Sequence, residues 1–413
     1  MKYFKLHIYC KYVCGEKFGS IYNMNTHEMI SVESPLKDII EEAQNNRPLS
    51  IEDEITLSEL VKKGYGMFYD SPNFIESFHY GPNSAIKTMV QPNMRINRCY
   101  IQVSNECDLN CCFCDESNGA NRRTSCKKWN NKRAEITIEN WDSIIRQLTK
   151  LGCQEICFIG GNPFLEFKRV SDIVMLASKM GINKFTVYSH QTNVNDEILS
   201  FLKKYHFTLI GTILSMKESS YKNITGSNKW KNIIEEIKYL NRNQINFVAN
   251  IIVGNFNENE IEDIVKRLKE NNIVYRLSLI YDKPNNEYFS ERYRKLMYEK
   301  KYDFCRVTKE SISFLEEYNS CLYGQISINL SGDVTPCPMM NSYVIGNICN
   351  GNSVSQIINS AEYRKLTQLS RNEIEGCNKC AYRFNCFDCR AIEYEATGKI
   401  TGEMFCTYKG GQS

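Results

Sequence analysis

The sequence predicts an α/β fold: six parallel βα units, with a small α+β module in front and a cysteine-rich region behind. Three observations carry this. From Cys99 to about Pro284, apolar runs of strand length alternate with segments of helical period. Directly after the first run comes CDLNCCFC (107–114), in which Cys107, Cys111 and Cys114 form a C-x3-C-x2-C triplet. Beyond residue 300 the composition shifts, and nine of the nineteen cysteines lie there.

At 413 residues and 42% hydrophobic content the chain can bury cores in two or three domains. MKYFKLHIYC alternates apolar and basic residues too soon to form a signal peptide, so the cysteines point to metal rather than disulfides. No apolar run approaches bilayer length, and a cytoplasmic protein with no membrane partner is expected. The net charge of +3, with signs mixed along the chain, argues against a nucleic-acid partner. One basic run, Arg122 to Arg133, reads as a solvated loop.

Residues 1–85 form the N-terminal module. Phe18 to Val32 reads as a hairpin turned at Asn25 and Thr26. Ser34 as N-cap and Pro35 at N1 open a helix through LKDIIEEA, and a second helix is expected over Thr56 to Lys63, ended by Gly64. A hairpin followed by short helices is winged-helix-like. Cys10 and Cys14 have no third partner and read as structural. Residues 86–98 are expected to be a linker.

The barrel domain is expected over 99–290. Its strands are CYIQVS from Cys99, EICFIG, KFTVYS, FTLIGTILS, INFVANIIVG and YRLSLIY. Thr137 caps a helix whose Trp141, Ile144, Ile145 and Leu148 keep a 3.6-residue period until Gly152. Further helices are expected at Val170–Met180, Asn195–Tyr205, Lys229–Asn241 and Glu258–Asn271. Right-handed crossovers bring every strand's C-terminal end to one rim, where the triplet falls. In the region 300–413, QISINLSGDVTPC reads as a hairpin turned at Ser331-Gly332-Asp333, which brings Cys321 and Cys337 side by side. Cys377-x2-Cys380-x5-Cys386-x2-Cys389 follows, then Cys406.

Three closely spaced thiolates can hold three irons of a [4Fe–4S] cluster and leave the fourth open. Zinc is the alternative for any cysteine cluster. The triplet, with Phe113 before its last cysteine, resembles the signature of radical S-adenosylmethionine (SAM) enzymes. The resemblance implies a partial (β/α)6 barrel, SAM on the open iron, and its one-electron cleavage to a 5′-deoxyadenosyl radical. Phe113 would lie near the adenine, and Cys112 would be a packed thiol. Gly160, Gly161 and Asn162 end the second strand where the family has Gly-Gly-Glu, so glycines would admit the SAM amino group but an amide replaces the acid. Ser189, His190 and Gln191 end the third strand. Ser215 matches the hydroxyl that contacts ribose or carboxylate, and Asn250 is a further polar candidate.

The C-terminal cysteines resemble the SPASM region, which implies two auxiliary [4Fe–4S] clusters and three in all. Cys321, Cys337 and Cys389 would hold the first, with Cys305, Cys349 or an open iron as its fourth position. Cys377, Cys380, Cys386 and Cys406 would hold the second. In isolation, the paired C-x2-C spacing also suits a zinc ribbon. The run has two residues between Cys386 and Cys389 where the family has three.

Together these resemblances imply an enzyme that modifies a ribosomally synthesised peptide, forming a thioether or carbon–carbon crosslink. The winged-helix-like module would bind the precursor's leader as an added strand, and flavodoxin or ferredoxin would be the electron donor. The rivals are a protein-modifying dehydrogenase similar to anaerobic sulfatase-maturating enzymes, and a non-catalytic peptide-presenting metal protein. Asp388, Asp282 and Tyr281 are unranked candidates for a base or hydrogen donor.

Overall fold

The computed structural model describes residues 1–75, 94–114, 136–190, 194–231, 233–280, 288–293, 296, 305–386, 389–404 and 406. The basic run, residues 86–93 of the expected linker, Gln191, Tyr281, Asp282 and Asp388 lie outside them.

The N-terminal part holds β1 (Tyr3–Leu6), β2 (Cys10–Val13), β3 (Gly19–Asn23), β4 (Glu28–Val32), α1 (Leu36–Gln44), α2 (Ile51–Lys62) and β5 (Gly66–Tyr69). The expected hairpin is β3–β4, with Ile21 opposite Ile30, and β2 adds to it antiparallel. β1 pairs instead with β5. Phe4, Ile21, Ile40 and Leu57, all fully buried, tie sheets and helices into one small core. Two helix starts differ from expectation. Pro35 is itself the N-cap of α1, with helical backbone angles and no side-chain cap bond, so Ser34 has no capping role. α2 begins earlier, because Ser50 and Asp53 form a reciprocal capping box that satisfies two of the first turn's free N–H groups.

The barrel strands are β6 (Arg98–Ser104), β7 (Glu155–Gly160), β8 (Lys184–Ser189), β9 (Thr208–Ile213), β10 (Asn246–Val253) and β11 (Tyr275–Leu279). All six are parallel and adjacent in chain order. Around them lie α3 (Ile138–Lys150), α4 (Phe167–Lys179), α5 (Asp196–Lys204), α6 (Glu218–Thr225), α7 (Ile233–Arg242) and α8 (Ile261–Glu270). α3 carries the Thr137 cap, reciprocated by Asn140, and buries Trp141, Ile144, Ile145 and Leu148. At about 1.5–3 kcal/mol for each large apolar side chain, that stripe fixes the helix to the sheet.

Alternation sorts the strands into two faces. Ile101, Phe158, Val187, Leu209 and Ile251 face the helices in the main core. Gln102, Thr186, Thr212, Asn250 and Ser278, which are out of step with the core-facing residues along their strands, are buried polar residues on the opposite face. The inner face of the barrel therefore mixes these polar groups with apolar residues such as Ile159, Ile210 and Ile252. Met94 and Ile96, just before β6, are buried in the main core.

The remaining elements are α9 (Lys309–Glu317), β12 (Gln325–Ile328), β13 (Asp333–Thr335), β14 (Gly346–Asn347), α10 (Val354–Ile358), α11 (Ala361–Thr367) and α12 (Arg390–Thr397). β12 and β13 form the expected hairpin, with Gly332 at φ +82° in its turn. The cysteines are not cross-strand neighbours, however. Ser327 pairs with Thr335, which leaves Cys337 two residues past that pair and Cys321 six before it. The intervening chain is turned by Asn319, whose Oδ1 accepts from the N–H groups of Cys321 (3.0 Å) and Leu322 (3.1 Å).

Two long-range arrangements were not anticipated. β12 lies parallel against β6, so the C-terminal hairpin together with β14 extends the barrel sheet to nine strands. The sheet β2–β4 packs Val13, Tyr22 and Met24 against Val307, Ile312 and Phe384. Tyr22 donates to the Ala381 carbonyl (2.9 Å), Arg383 to the Cys14 carbonyl (2.9 Å), and the Phe18 and Tyr382 rings lie 4.8 Å apart.

Candidate functional site

Cys107, Cys111 and Cys114 lie in the loop that leaves β6, each partly exposed. Its shape is set by the neighbouring rim. Gly161 follows β7 so closely that a Cβ there would stand 2.1 Å from the Glu106 carbonyl oxygen, and one at Gly160 would stand 2.3 Å from that of Ser104. Gly160 has φ +147°, a further reason for glycine. Asn162 N–H donates to Glu106 O (2.7 Å) and Gly161 N–H to Ser104 O (3.2 Å), bonding the end of the second strand to the cysteine loop. From the other side, Asn110 N–H donates to Thr225 O (2.9 Å) and Cys112 N–H to Ile224 O (2.8 Å). α6 therefore braces the loop, although it was missed in the sequence: ESSYKNIT has only a short apolar face. Cys112 is exposed rather than packed, because the bond from its N–H holds the backbone while the thiol stays at the surface.

Around Cys107 the side chains form one polar network. His190 Nε2 lies 3.5 Å from Cys107 Sγ and 3.1 Å from Asp108 Oδ1. Burial disfavours a charged imidazole there, but the bonds to Asp108 and Cys107 outweigh it and raise His190 to about 9. Burial likewise opposes ionisation of Cys107, yet the bond from His190 and its charge hold the thiol below its usual range. His190 thus shifts Cys107 toward the thiolate, the form that binds iron. Asn162, fully buried, donates from Nδ2 to Asp108 Oδ1 (3.0 Å) and accepts at Oδ1 from Ser189 Oγ (3.2 Å) and Phe164 N–H (3.3 Å). Lys229 Nζ reaches Asp108 Oδ2 at 2.7 Å. Asp108 and Lys229 were not among the sequence candidates, since an Asp inside a cysteine motif carries no distinctive spacing.

The other candidates fall at the same end of the barrel or just below it. Phe113 is buried and stacks on Phe256 (5.0 Å, 13° between planes), with Leu214, Ile224, Ile252 and Ile280 around it. Ser215, fully buried past the end of β9, donates to Glu260 Oε2 (2.6 Å). Asn250 sits on the lumen face of β10 and accepts from Arg276 Nε and Ser278 Oγ, both at 2.7 Å. Asn257, not expected from sequence, clamps the rim: Nδ2 donates to Leu214 O (2.7 Å) and Ile252 O (2.8 Å), and Oδ1 accepts from Gly254 N–H (3.0 Å).

The C-terminal cysteines divide. Cys377, Cys380, Cys386 and Cys406 line one cavity of about 640 Å³, whose wall includes Gly15 to Phe18 of the N-terminal part. Four cysteines lining one cavity suit a four-cysteine cluster. Cys337 is buried and its Sγ accepts from Met339 N–H (3.4 Å), Cys321 is partly exposed, and Cys389 is the N-cap of α12. Cys305 and Cys349 are both exposed.

A parallel barrel with three cysteines in the loop leaving its first strand, and a separate cysteine-lined cavity in the C-terminal region, suits a protein that holds iron–sulfur clusters. Residues 101–268 match the Radical SAM superfamily, and residues 320–381 match an iron–sulfur cluster-binding domain, SPASM. The chain thus carries a radical SAM domain followed by a SPASM region. Among relatives, it is 23% identical over 360 residues to the radical SAM cyclopropyl synthase TigE of Paramaledivibacter caminithermalis, covering 80% of this chain and 75% of that one. It is 24% identical over 170 residues to the sporulation killing factor maturation protein SkfB of Bacillus subtilis, covering 41% of this chain and 38% of that one. In fold it is similar to Streptococcus suis SuiB bound to precursor peptide SuiA, with TM-score 0.55, 16% identity, and 96% and 97% of the two chains covered. It is also similar to anSMEcpe with bound AdoMet, with TM-score 0.56, 15% identity, and 73% and 92% covered. No described helix is long and apolar enough to cross a membrane.

Proposed function

We propose that this protein reductively cleaves SAM and uses the resulting radical to modify a ribosomally synthesised precursor peptide, by a thioether or carbon–carbon crosslink. The observation that carries the reading is the joining of three parts. A cysteine triplet sits on the barrel rim, a cysteine-lined cavity lies in the C-terminal region, and the turn between β2 and β3 of the N-terminal part forms part of that cavity's wall. Relatives named as a maturation protein and a cyclopropyl synthase support it.

In this reading Cys107, Cys111 and Cys114 hold a [4Fe–4S] cluster, which with SAM supplies the 5′-deoxyadenosyl radical. Cys321, Cys337 and Cys389 serve the first auxiliary cluster and Cys377, Cys380, Cys386 and Cys406 the second. His190 steadies the Cys107 sulfur by its N–H. Gly160 and Gly161 let the backbone approach the ligand, Phe113 on Phe256 keeps water from that flank, and Ser215 and Asn250 present polar groups at the rim and lumen. The module at 1–85 receives the precursor's leader, the barrel occupies 99–290 and the cluster region 300–413. A cytoplasmic flavodoxin or ferredoxin provides the electron.

The test is anaerobic purification, reconstitution with iron and sulfide, metal counting, and dithionite-driven formation of 5′-deoxyadenosine, with Cys107→Ala as control. About twelve irons and triplet-dependent cleavage are expected for three four-iron clusters. Zinc in place of iron, or an iron-replete protein that leaves SAM intact, would refute the proposal.

A further inference from the structure

We infer that Arg276 receives a side-chain carboxylate of the substrate inside the barrel, so that the peptide carries an aspartate or glutamate at or beside the residue that is modified; this rests on the peptide-modifying reading above. Arg276 is the second residue of β11 and pairs in register with Asn250, so it points from the edge strand to the inner face of the barrel. Its side chain crosses β10 and β9 to reach β8, where the guanidinium carbon lies 5.4 Å from the centre of the Tyr188 ring. Tyr188 stands one residue before Ser189 and two before His190, whose Nε2 is 3.5 Å from Cys107 Sγ. The charge therefore lies inside the barrel beside the strand end that touches the cysteine loop.

Its partners orient it without neutralising it. Nε donates to Asn250 Oδ1 at 2.7 Å, and the fully buried Asn250 is fixed in turn by Ser278 Oγ, also at 2.7 Å. The Tyr188 ring supports the face of the guanidinium. Burial pushes the Tyr188 phenol up, against the charge and bond of Arg276, so the phenol is a neutral partner. Tyr100, 6.4 Å from Tyr188 between ring centres, is neutral for the same reason. Glu155, on the inner face of β7, is taken by Arg98 and Thr186, each at 2.7 Å.

Among the described residues no carboxylate is paired with Arg276, and the residue is exposed. A guanidinium held at Nε and across its face keeps terminal N–H groups to spare, and that planar fork matches a carboxylate through two parallel bonds. Entry of a peptide would displace water from the inside of the barrel and strengthen such a pair. In radical SAM enzymes the amino and carboxylate groups of SAM chelate the open iron, so the carboxylate for Arg276 belongs to the peptide.

The test uses the full chain, reconstituted without oxygen and held with SAM but no reductant, so that binding is read apart from turnover. The probes are N-acetyl-Gly-Glu-Gly-amide, its Gln counterpart, and N-acetyl-Gly-Gly-Gly with a free carboxyl end, each measured by equilibrium dialysis. The Glu probe is expected to bind about tenfold more tightly than the Gln probe, and more tightly than the free-end probe. Arg276→Gln is expected to abolish that preference, and Arg276→Lys, which keeps the charge but not the fork, to reduce it to roughly threefold. Iron content and SAM affinity are measured for every variant. If Arg276→Gln loses iron, Asn250→Asp decides, because a carboxylate there would pair with Arg276 internally and is expected to remove most of the preference. Equal binding of the Glu and Gln probes, binding of neither, or a preference that survives the deciding variant overturns the inference, while SAM cleavage measured separately with dithionite leaves the proposed activity standing. Loss of SAM affinity in Arg276→Gln with the probe preference unchanged assigns the guanidinium to SAM, and tighter binding of the free-end probe assigns it to a chain terminus; either overturns the inference. A Glu preference in a protein that cleaves no SAM supports the carboxylate site and refutes the proposed activity alone.

Discussion

Substituting Gly161 by alanine tests whether the second strand and the cysteine loop are built as a single unit. The added Cβ would lie 2.1 Å from Glu106 O, 2.6 Å from Glu106 C and 3.0 Å from Cys107 Cβ. Two of those atoms are backbone and cannot rotate away, so the segment carrying Cys107 must retreat by roughly 1 Å. Overpacking of this kind costs about 1–3 kcal/mol, and loss of the Asn162 N–H bond to Glu106 O adds about 1 kcal/mol. Displacement on that scale also costs on the order of 10²-fold in rate where reacting groups must be aligned. The assay compares urea unfolding, iron per chain and SAM cleavage in Gly161→Ala and Gly181→Ala. Gly181 has φ +94° but nothing within 4 Å of its absent Cβ, so it registers backbone strain alone, about 1 kcal/mol, with iron and cleavage intact. Gly161→Ala is expected to lose the triplet's iron and nearly all cleavage. Wild-type iron content and cleavage in that variant would refute the close packing.

Other perturbations separate the parts of the molecule. Cys386→Ala is expected to remove about four irons yet leave SAM cleavage at the Cys107 loop, as read by iron analysis and 5′-deoxyadenosine yield. Thr137→Ala removes the capping box of α3 and should lower stability by about 1 kcal/mol without changing iron content. Tyr22→Ala deletes the ring and the hydroxyl bond joining the N-terminal sheet to residues 381–385, and is expected to speed proteolytic release of the N-terminal part while SAM cleavage persists. The Glu155 carboxyl is pushed up by burial, but bonds from Thr186 and Arg98 prevail and leave it below its usual range. Its contribution to stability is therefore present above the unfolded-state value of about 4.3 and disappears as pH falls through the lower folded value. Urea midpoints measured from pH 7 to pH 3 should fall less steeply in Glu155→Gln, and equal slopes would contradict the assignment.

Much of this molecule is readable from local sequence, for a physical reason. Strand alternation and helical period are set by which faces bury apolar groups, so the six barrel strands and α3 are visible in the residues themselves. Cysteine spacing is equally local: the triplet and the C-x2-C pairs must sit in short loops whatever surrounds them. Caps are less secure. Pro35 took the place expected of Ser34, and α2 is capped at Ser50, ahead of the expected start, because several residues near a helix start compete for the same free N–H groups.

What only the tertiary structure decided are the contacts between segments far apart in the chain. Alignment of β12 against β6 depends on which sheet edge is left open, and no periodicity encodes that. The packing of β2–β4 against residues 305–386 brings Gly15 to Phe18 into the wall of the C-terminal cysteine cavity. At the rim, Asn162 reads in sequence as a weakened copy of an acid. Its real partners come from three different strand ends: Asp108 after β6, Phe164 after β7 and Ser189 at the end of β8. Residue types and spacings determined which chemistry the chain can support. Strand order determined which of those residues meet, because hydrogen bonds and charges act over a few ångströms of space and not along the chain.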